Sequence, residues 1–403
     1  MDHAHEVKLL TQLLELRQAK QTSMAVTVRR QSTHVYADQA HFEREVTKLF
    51  RETPLIAGLS GELPNAGDYF TIELGGTPVI VVRSENGGVK AFLNACRHRG
   101  SRIAEGCGSA NRVFRCPYHA WVYDTDGRLM GMPVAQHGFD ELLREETGLI
   151  ELPAAEDCGL IVVGATPQAG PVDVEDLLAG LGSELASHGF ESWALVGERV
   201  NTWDMNWKMP YETFLEAYHI FALHRDSLAK QVLATPMLSE FFGPHGRGVL
   251  TGREAPKLEK LHTDQWRFKN HANLVYWLFP NTVLSMPMTG HAELWQFYPG
   301  TGPATSRVST RFYAPAEPAT DKERAFWSRM IDFTMTVVEN EDFVQQEAIQ
   351  RNVGTGIYEQ RIFGRNEPAM IHYHEGLDRA LGSSTVFQSA TSSTSSAVSG
   401  VSN

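Results

Sequence analysis

The chain contains Cys96-Arg97-His98-Arg99-Gly100 and, further along, Cys116-Pro117-Tyr118-His119-Ala120-Trp121. Each segment offers one thiolate and one imidazole, in the spacing C-x-H, seventeen residues, C-x-x-H. A two-iron, two-sulfide cluster in which cysteines hold one iron and histidines hold the other needs this ligand set. Such a cluster accepts an electron at a much higher potential than an all-cysteine cluster, because imidazoles are neutral and thiolates are charged. The predicted cluster ligands are Cys96, His98, Cys116 and His119.

A structural zinc ion is the alternative for the same residues, because zinc also takes two cysteines and two histidines. The usual zinc spacing places both cysteines in one loop and both histidines in another, whereas here each loop carries one of each. Gly100, Gly106 and Pro117 in and near the loops suit tight turns around a cluster. The pattern therefore favours an iron–sulfur electron-transfer site over zinc.

Length, composition and charge limit the class of protein. A chain of 403 residues can bury two full cores, and 42% hydrophobic with 21% charged residues is typical of soluble globular proteins. The formal net charge of −12 argues against nucleic acid or an anionic membrane surface as a partner, because both require a basic surface. The longest apolar run, 274–279, is far too short to span a membrane, and no signal-peptide pattern is present, so we expect a cytoplasmic location.

The first half of the chain divides into two segments. Residues 1–48 contain helical patterns, and their clustered leucines are expected to pack on the second domain or on a neighbouring subunit. Residues 49–165 alternate short β-type runs with Gly-rich turns, including Asn86-Gly87-Gly88 and Asp126-Gly127. This texture predicts an antiparallel β domain that carries both cluster loops.

The second half also divides into two segments. Residues 166–382 combine strand patterns over 273–313 with helical patterns over 207–233 and 320–350. We expect them to form an α+β domain with a substrate cavity. Residues 383–403 are rich in Ser and Thr without a periodic apolar face, which predicts a disordered tail.

A second group of candidate metal ligands lies in the C-terminal half. Two histidines and one carboxylate form non-haem iron sites that leave positions open for oxygen, and His219 and His224 are five residues apart. On a straight helix this spacing separates the two side chains by about 140°. They can share one ion only if the helix bulges or ends between them. A pair of ordinary helical histidines is the alternative interpretation.

The third ligand is sought among the acidic residues of the long C-terminal helical pattern. Asp342 is our choice because Phe343 and Val344 adjoin it, whereas acidic helix residues are usually solvated. Glu216 has a different predicted role. It lies three residues before His219, so its carboxylate can accept a hydrogen bond from the ligand imidazole and bridge toward a cluster histidine.

From about residue 40 to 380 the chain resembles the large catalytic (α) subunits of the Rieske non-haem iron oxygenases. Besides the cluster motif, the resemblance rests on the run from Asn206-Trp207-Lys208 through Glu216-x-x-His219-x4-His224, and on Glu341-Asp342-x4-Glu347-x-x-Gln350-Arg351. It implies an N-terminal Rieske [2Fe–2S] domain and a C-terminal helix-grip (START-like) catalytic domain. The implied ligands of its mononuclear Fe(II) are His219, His224 and Asp342.

The resemblance also implies an assembly and an activity. Subunits would form a head-to-tail homotrimer in which Glu216 links the cluster of one subunit to the iron of the next. The chain would be a terminal oxygenase that uses O2 and electrons from a separate NAD(P)H-dependent reductase, with or without a ferredoxin. It would hydroxylate or dihydroxylate a small, mostly apolar, aromatic compound. The candidate cavity-lining residues are Tyr211, Phe214, Phe221 and Trp277, and an ordinary core position is the alternative for each.

Two departures from the family pattern keep other functions open. Glu216 stands where many aromatic-ring dioxygenases carry Asp, and Thr213 stands where many carry Asn. Some monooxygenases that act on quaternary ammonium compounds carry Glu at the bridging position, so such an activity is the first alternative. A non-catalytic Rieske electron carrier is the second.

Overall fold

The computed structural model describes residues 1–382. They form an N-terminal region of short antiparallel strands and a C-terminal region built on one seven-stranded antiparallel sheet with helices packed against it. This arrangement confirms the predicted α+β class. The tail predicted to be disordered, 383–403, lies outside the described residues.

The bounds of the regular elements are as follows. The first twelve strands are β1 (Arg29–Ser32), β2 (Leu55–Leu59), β3 (Asp68–Leu74), β4 (Thr77–Arg83), β5 (Val89–Leu93), β6 (Cys107–Ser109), β7 (Val113–Arg115), β8 (Val122–Asp124), β9 (Leu129–Gly131), β10 (Glu151–Leu152), β11 (Ala154–Asp157) and β12 (Leu160–Val163). The later strands are β13 (Ala194–Trp203), β14 (Val232–Phe242), β15 (His245–Gly252), β16 (Ala272–Leu278), β17 (Thr282–Met286), β18 (Ala292–Pro299), β19 (Ser306–Ala314) and β20 (Gln360–Phe363). The α-helices are α1 (His3–Gln18), α2 (Gln39–Glu45), α3 (Val174–Leu178), α4 (Gly182–Ala186), α5 (Lys208–Glu212), α6 (Asp321–Val337), α7 (Val344–Gly354) and α8 (Pro368–Ala380). Within residues 1–382, no helix has the length and apolar character needed to cross a membrane.

Strands β2 to β12 form three small antiparallel sheets, and β1 pairs with β20 near the C-terminus. Their strand orders are β10-β5-β4-β3-β6, β7-β8-β9 and β11-β12-β2. The turns predicted from Gly-containing dipeptides connect neighbouring strands: Gly87 joins β4 to β5 and Gly127 joins β8 to β9, both with positive φ. The first cluster loop follows β5, and the second connects β7 to β8. The domain boundaries near 48 and 165 remain predictions.

The C-terminal sheet has the order β13-β19-β18-β17-β16-β15-β14. Alternation along β18 buries both faces, because Leu294 packs in one apolar cluster while Trp295 and Phe297 pack in another. The second of these clusters also contains Phe343 of the C-terminal helical segment, so one face of the sheet packs toward the metal-ligand candidates.

Helix α1 packs on its own chain. Asp2 caps its first turn, and the side chains of Leu9, Leu10, Leu13 and Leu14 are buried together with residues of the large sheet. Contacts to β14 and β15 place the helix against the second domain, which was one of the two predicted positions for this segment.

The prediction of one helical segment over 207–233 is wrong. Only α5 is α-helical there, followed by 3-10 turns at Tyr218–Phe221 and Leu228–Lys230, and β14 begins at Val232. Side chains compete with the helical hydrogen bonds in this stretch. The carboxylate of Glu216 accepts from the backbone N–H groups of Tyr218 and His219, and Thr213 Oγ1 donates to the Pro210 carbonyl at 2.7 Å.

The long helical pattern over 320–350 folds as a continuous helical segment with one irregularity. Thr320 and Glu323 form the predicted capping box at its start. A π-helical turn, Val338–Phe343, joins α6 to α7 and contains Asp342. Such turns occur frequently at functional sites because they re-aim one side chain out of the regular helical register.

Candidate active site

The two cluster loops have the same backbone geometry. In the first, Gly100 N donates to the Cys96 carbonyl at 2.8 Å, and in the second, Ala120 N donates to the Cys116 carbonyl at 3.0 Å. Gly100 (φ 76°) and Ala120 (φ 57°) both adopt the left-handed conformation that such turns need. Each turn therefore presents its cysteine and its histidine to the same space.

The four predicted cluster ligands come together, with sulfur on the inside and nitrogen on the outside. Cys96 and Cys116 are buried, whereas His98 and His119 are partly exposed. The two Nδ1 atoms lie 3.1 Å apart, and the Trp121 ring stacks on His98 with centroids at 5.0 Å. Two thiols and two imidazole nitrogens facing one space fit a cluster with different ligands on its two irons.

Tyr123 adds a contact that the sequence does not reveal. Its hydroxyl lies 3.4 Å from Cys96 Sγ and accepts a hydrogen bond from Arg97 N at 3.1 Å. Burial raises the pKa of Tyr123, so the hydroxyl keeps its proton. It can therefore donate a hydrogen bond to the sulfur. Hydrogen bonds to ligand sulfur are among the factors that set the potential of such clusters.

The three predicted mononuclear ligands also come together. Asp342 Oδ1 lies 3.1 Å from His224 Nε2 and 3.5 Å from His219 Nε2, and one donor atom of each residue lies within 4.8 Å of the others. His219 lies in the 3-10 turn Tyr218–Phe221, which ends between the two histidines, so the condition that the sequence sets for a shared ion is met. Asp342 Oδ1 is buried and makes no hydrogen bond. An unpaired carboxylate oxygen beside two imidazole nitrogens fits a divalent metal ion.

Each imidazole is held from behind by a carboxylate. His219 Nδ1 lies 2.5 Å from Glu216 Oε1, as predicted, and His224 Nδ1 lies 2.7 Å from Glu341 Oε2. Ser227 Oγ donates to the same Glu341 oxygen at 2.7 Å. Burial by itself lowers the pKa of both histidines. Glu216 and Asp342 at His219, and Asp342 and Glu341 at His224, outweigh this effect, so the net shift of both pKa values is upward. The arrangement leaves both Nε2 atoms facing Asp342, as metal-bound histidines require.

A cavity of about 370 Å³ begins at this site and extends between the sheet and α6. Its wall is mostly apolar, and its members include Phe214, Val232, Leu250, Val275, Phe333 and Val338. Of the four residues predicted to line it, only Phe214 does so. Tyr211 and Trp277 are core residues and Phe221 is exposed. Tyr211 lies in α5 and Phe221 ends a 3-10 turn, so the predicted helix does not carry them to the cavity, and Trp277 lies on β16.

A second, more open groove of about 740 Å³ reaches His219 from the other side of the candidate metal site. Glu216, His219 and Asp342 line both spaces, so the candidate metal site separates an inner cavity from an outer groove. Exposed apolar side chains occur on or close to this groove, at Tyr358 and Ile362.

Glu212 is a buried acid next to the groove whose importance the sequence pattern does not indicate. Its carboxylate accepts from the Tyr36 hydroxyl at 2.7 Å, lies 2.9 Å from His374 Nε2 and pairs with Arg361. Burial alone would raise the pKa of Glu212, but Arg361 and the hydrogen bonds lower it to about 2. The residue therefore carries a permanent negative charge beneath the groove.

Comparison with known proteins decides the family. The family model described as "Rieske [2Fe-2S] domain" matches residues 53–146, and the model described as "Ring hydroxylating alpha subunit (catalytic domain)" matches residues 190–383. The chain belongs to the Rieske oxygenase alpha subunits. This confirms the resemblance inferred from the motifs. The chain carries a Rieske [2Fe–2S] domain and an oxygenase catalytic domain, which binds mononuclear iron.

Relatives of this oxygenase subunit fall into two groups. The chain is 30% identical to "Biphenyl 2,3-dioxygenase subunit alpha" of Rhodococcus jostii (strain RHA1), over 69% of its own length but only 57% of that relative's length. It is 27% identical to "Carnitine monooxygenase oxygenase subunit" of Escherichia coli (strain K12), over 84% of its own length and 90% of that protein. A crystal structure of the quaternary ammonium Rieske monooxygenase CntA has the same fold, with a TM-score of 0.75, 21% identity and coverage of 87% of this chain and 94% of that one.

Proposed function

We propose that the chain is the terminal oxygenase component of a multicomponent Rieske system. The observation that carries the proposal is the unpaired Oδ1 of Asp342, which lies beside His219 and His224 at one end of an apolar cavity. When bound there, ferrous iron supplies the reductive activation of O2 for insertion into a C–H or C=C bond. The protein supplies position and a cavity that excludes water from the reacting groups.

The chain's own residues have distinct proposed roles. Cys96, His98, Cys116 and His119 hold the cluster, and His219, His224 and Asp342 hold the mononuclear iron. Glu216 and Glu341 fix the orientation of the two imidazoles, because each accepts at an Nδ1 atom. Glu216 also lines the outer groove, where it can contact an incoming electron donor.

A head-to-tail homotrimer is the proposed assembly. The cluster loops present His98 and His119 at the surface, with exposed Tyr118 nearby. The outer groove offers exposed apolar side chains beside Glu216 on the other domain. Docking of the first surface of one subunit on the groove of the next would join the cluster to the mononuclear site through Glu216. A separate reductase, with or without a ferredoxin, would reduce the cluster.

The cavity and the relatives support two substrate classes. A small, mostly apolar, aromatic compound is supported by the apolar cavity wall and by the similarity to the biphenyl dioxygenase subunit. A quaternary ammonium compound is supported by Glu216 at the bridging position and by the match to carnitine monooxygenase over nearly its whole length. Turnover assays with a surrogate reductase, on a panel of aromatic compounds and a panel of quaternary ammonium compounds, separate the two classes.

Metal analysis tests the proposal before any substrate is known. Two irons in the cluster and one held by two histidines and a carboxylate predict about three irons per chain. His219→Ala should reduce this to about two, keep the visible absorption of the cluster and abolish oxygenation. His372→Ala is the matched control, because this histidine stacks on Phe241 away from both metal sites. Colourless protein that contains zinc, or a wild type with only two irons, would contradict the proposal.

A further inference from the structure

A buried acid–base pair lies in the cavity at some distance from the metal site. Glu293 on β18 and His291 just before it are 5% and 1% exposed, and Glu293 Oε1 lies 2.9 Å from His291 Nε2. Thr289 Oγ1 lies 2.7 Å from the other ring nitrogen of His291. Trp295 Nε1 donates to Glu293 Oε2 at 3.1 Å. The proposed oxygen-activation chemistry uses none of these residues.

Helix α6, which packs over the cavity, shows how far Glu293 lies from the candidate metal site. Thr334 on α6 donates to Glu293 Oε1 at 3.2 Å, and Asp342 follows Thr334 by eight residues. At 1.5 Å per residue the two positions are about 12 Å apart along the helical segment. Exposed Thr289 and Phe333 line the same end of the cavity, so this end lies close to the protein surface.

Glu293 brings a carboxylate to this end of the cavity, with the His291 imidazole as its basic neighbour. The residues that line the cavity include Glu293, and no Lys or Arg is among them in the part of the chain that the structure describes. An ionised carboxylate has about four acceptor positions. His291, Thr334 and Trp295 occupy three of those on Glu293, which fixes the side chain and leaves one acceptor position. A buried carboxylate is most stable when a cation pairs with it.

We propose that Glu293 binds a cationic nitrogen group of the substrate, while His291, Trp295 and Thr334 hold the carboxylate in place. The inference rests on the proposed oxygenase function and specifies the substrate class for the same cavity. A substrate anchored at Glu293 would place its apolar body against Phe214, Val275 and Val338, between the pair and the metal site. The oxidised carbon would then be separated from the nitrogen by several bonds rather than belong to a methyl group on it.

Three compounds of similar size and different charge test this directly: 2-phenylethylamine, propylbenzene and 3-phenylpropionate. Their dissociation constants are measured by anaerobic titration calorimetry on the enzyme carrying its cluster and iron. A hydrogen bond to a charged group is worth about ten- to a hundredfold in affinity. We expect the wild type to bind the amine more tightly than the other two by that factor. Glu293→Gln should remove the preference while it retains binding of propylbenzene.

Ser285→Ala is the matched control, because Ser285 is the uncharged cavity residue directly opposite Glu293 in the β17–β18 register. It should keep the preference for the amine. Equal affinity of the wild type for the amine and the carboxylate would overturn the inference, whether or not Glu293→Gln folds. So would an unchanged preference in a folded Glu293→Gln. Binding heats do not depend on turnover, so failure to oxygenate would contradict the proposed function while the preference still decides this inference.

Discussion

Asp342 Oδ1 lies 3.1 Å from His224 Nε2, although the two residues come from distant parts of the chain, and it forms no hydrogen bond there. A buried acceptor without a donor costs folding free energy. Carboxylates already contact both Nδ1 atoms of the neighbouring histidines. One remaining ligand atom from each of His219, His224 and Asp342 lies within 4.8 Å of the other two. The two histidines and Asp342 are therefore positioned to bind an ion, and neighbouring carboxylates hold the two imidazoles in place.

Asp342→Asn should remove the mononuclear iron without weakening the fold. We expect iron content to fall from about three to about two per chain, while the cluster spectrum is retained. In the presence of a chelator, the free energy of unfolding should stay equal to wild type or rise by about 1 kcal/mol, because a buried charge without a hydrogen bond at Oδ1 has been removed. Asp332→Asn, an exposed change on the same helical segment, should alter neither quantity. Destabilisation of the chelated variant by several kcal/mol would indicate a structural role instead.

Glu216→Gln and Glu341→Gln should have different effects, although each carboxylate contacts one imidazole. Only Glu216 also lines the outer groove, so its loss should slow oxidation of the reduced cluster by about ten- to a hundredfold with both metals bound. Loss of Glu341 should weaken iron binding by a similar factor and leave electron transfer in the loaded enzyme close to wild type. Stopped-flow absorbance of the cluster and iron titration measure the two effects. Normal transfer in Glu216→Gln would eliminate the relay role.

Much of the site could be predicted from sequence because its signals are local. The two cluster loops each carry one thiol and one imidazole at short spacing, and His219 with Glu216 at three residues reads as a ligand and its support. Asp342 could be selected from an acidic run by its apolar neighbours. The class of fold followed from the Gly-rich hairpins and the aromatic strands, and the structure agrees with both.

The other features of the site depend on contacts between distant parts of the chain, which the spacing of residues in the sequence does not reveal. The stretch around α5 has helical periodicity, but the side chains of Glu216 and Thr213 form hydrogen bonds with backbone groups and no continuous helix forms. Tyr211 and Phe221 therefore do not line the cavity. In the sequence, Glu341 is one acid among several. Only its contact with His224, which comes from another segment, indicates a role for it. Glu293 is likewise recognisable only when Thr334 and the cavity are seen beside it.

Glu212 should make the stability of the protein depend on pH in the acid range. Its folded-state pKa of about 2 lies below the ordinary value of 4.5, because Arg361 and the hydrogen bonds from Tyr36 and His374 outweigh burial. A lowered carboxyl pKa stabilises the folded state above pH 4.5, and this contribution, up to about 3 kcal/mol, is lost as the pH falls from 4.5 toward 2. Urea unfolding between pH 6 and pH 3 should therefore show a smaller loss of stability for Glu212→Gln than for wild type, from a lower starting stability at pH 6 because Arg361 is left without its partner. Asp226→Asn, which changes an exposed acid, should reproduce the wild-type pH dependence. If wild type and Glu212→Gln lost stability in parallel over this range, the folded state would not lower the pKa of this carboxyl.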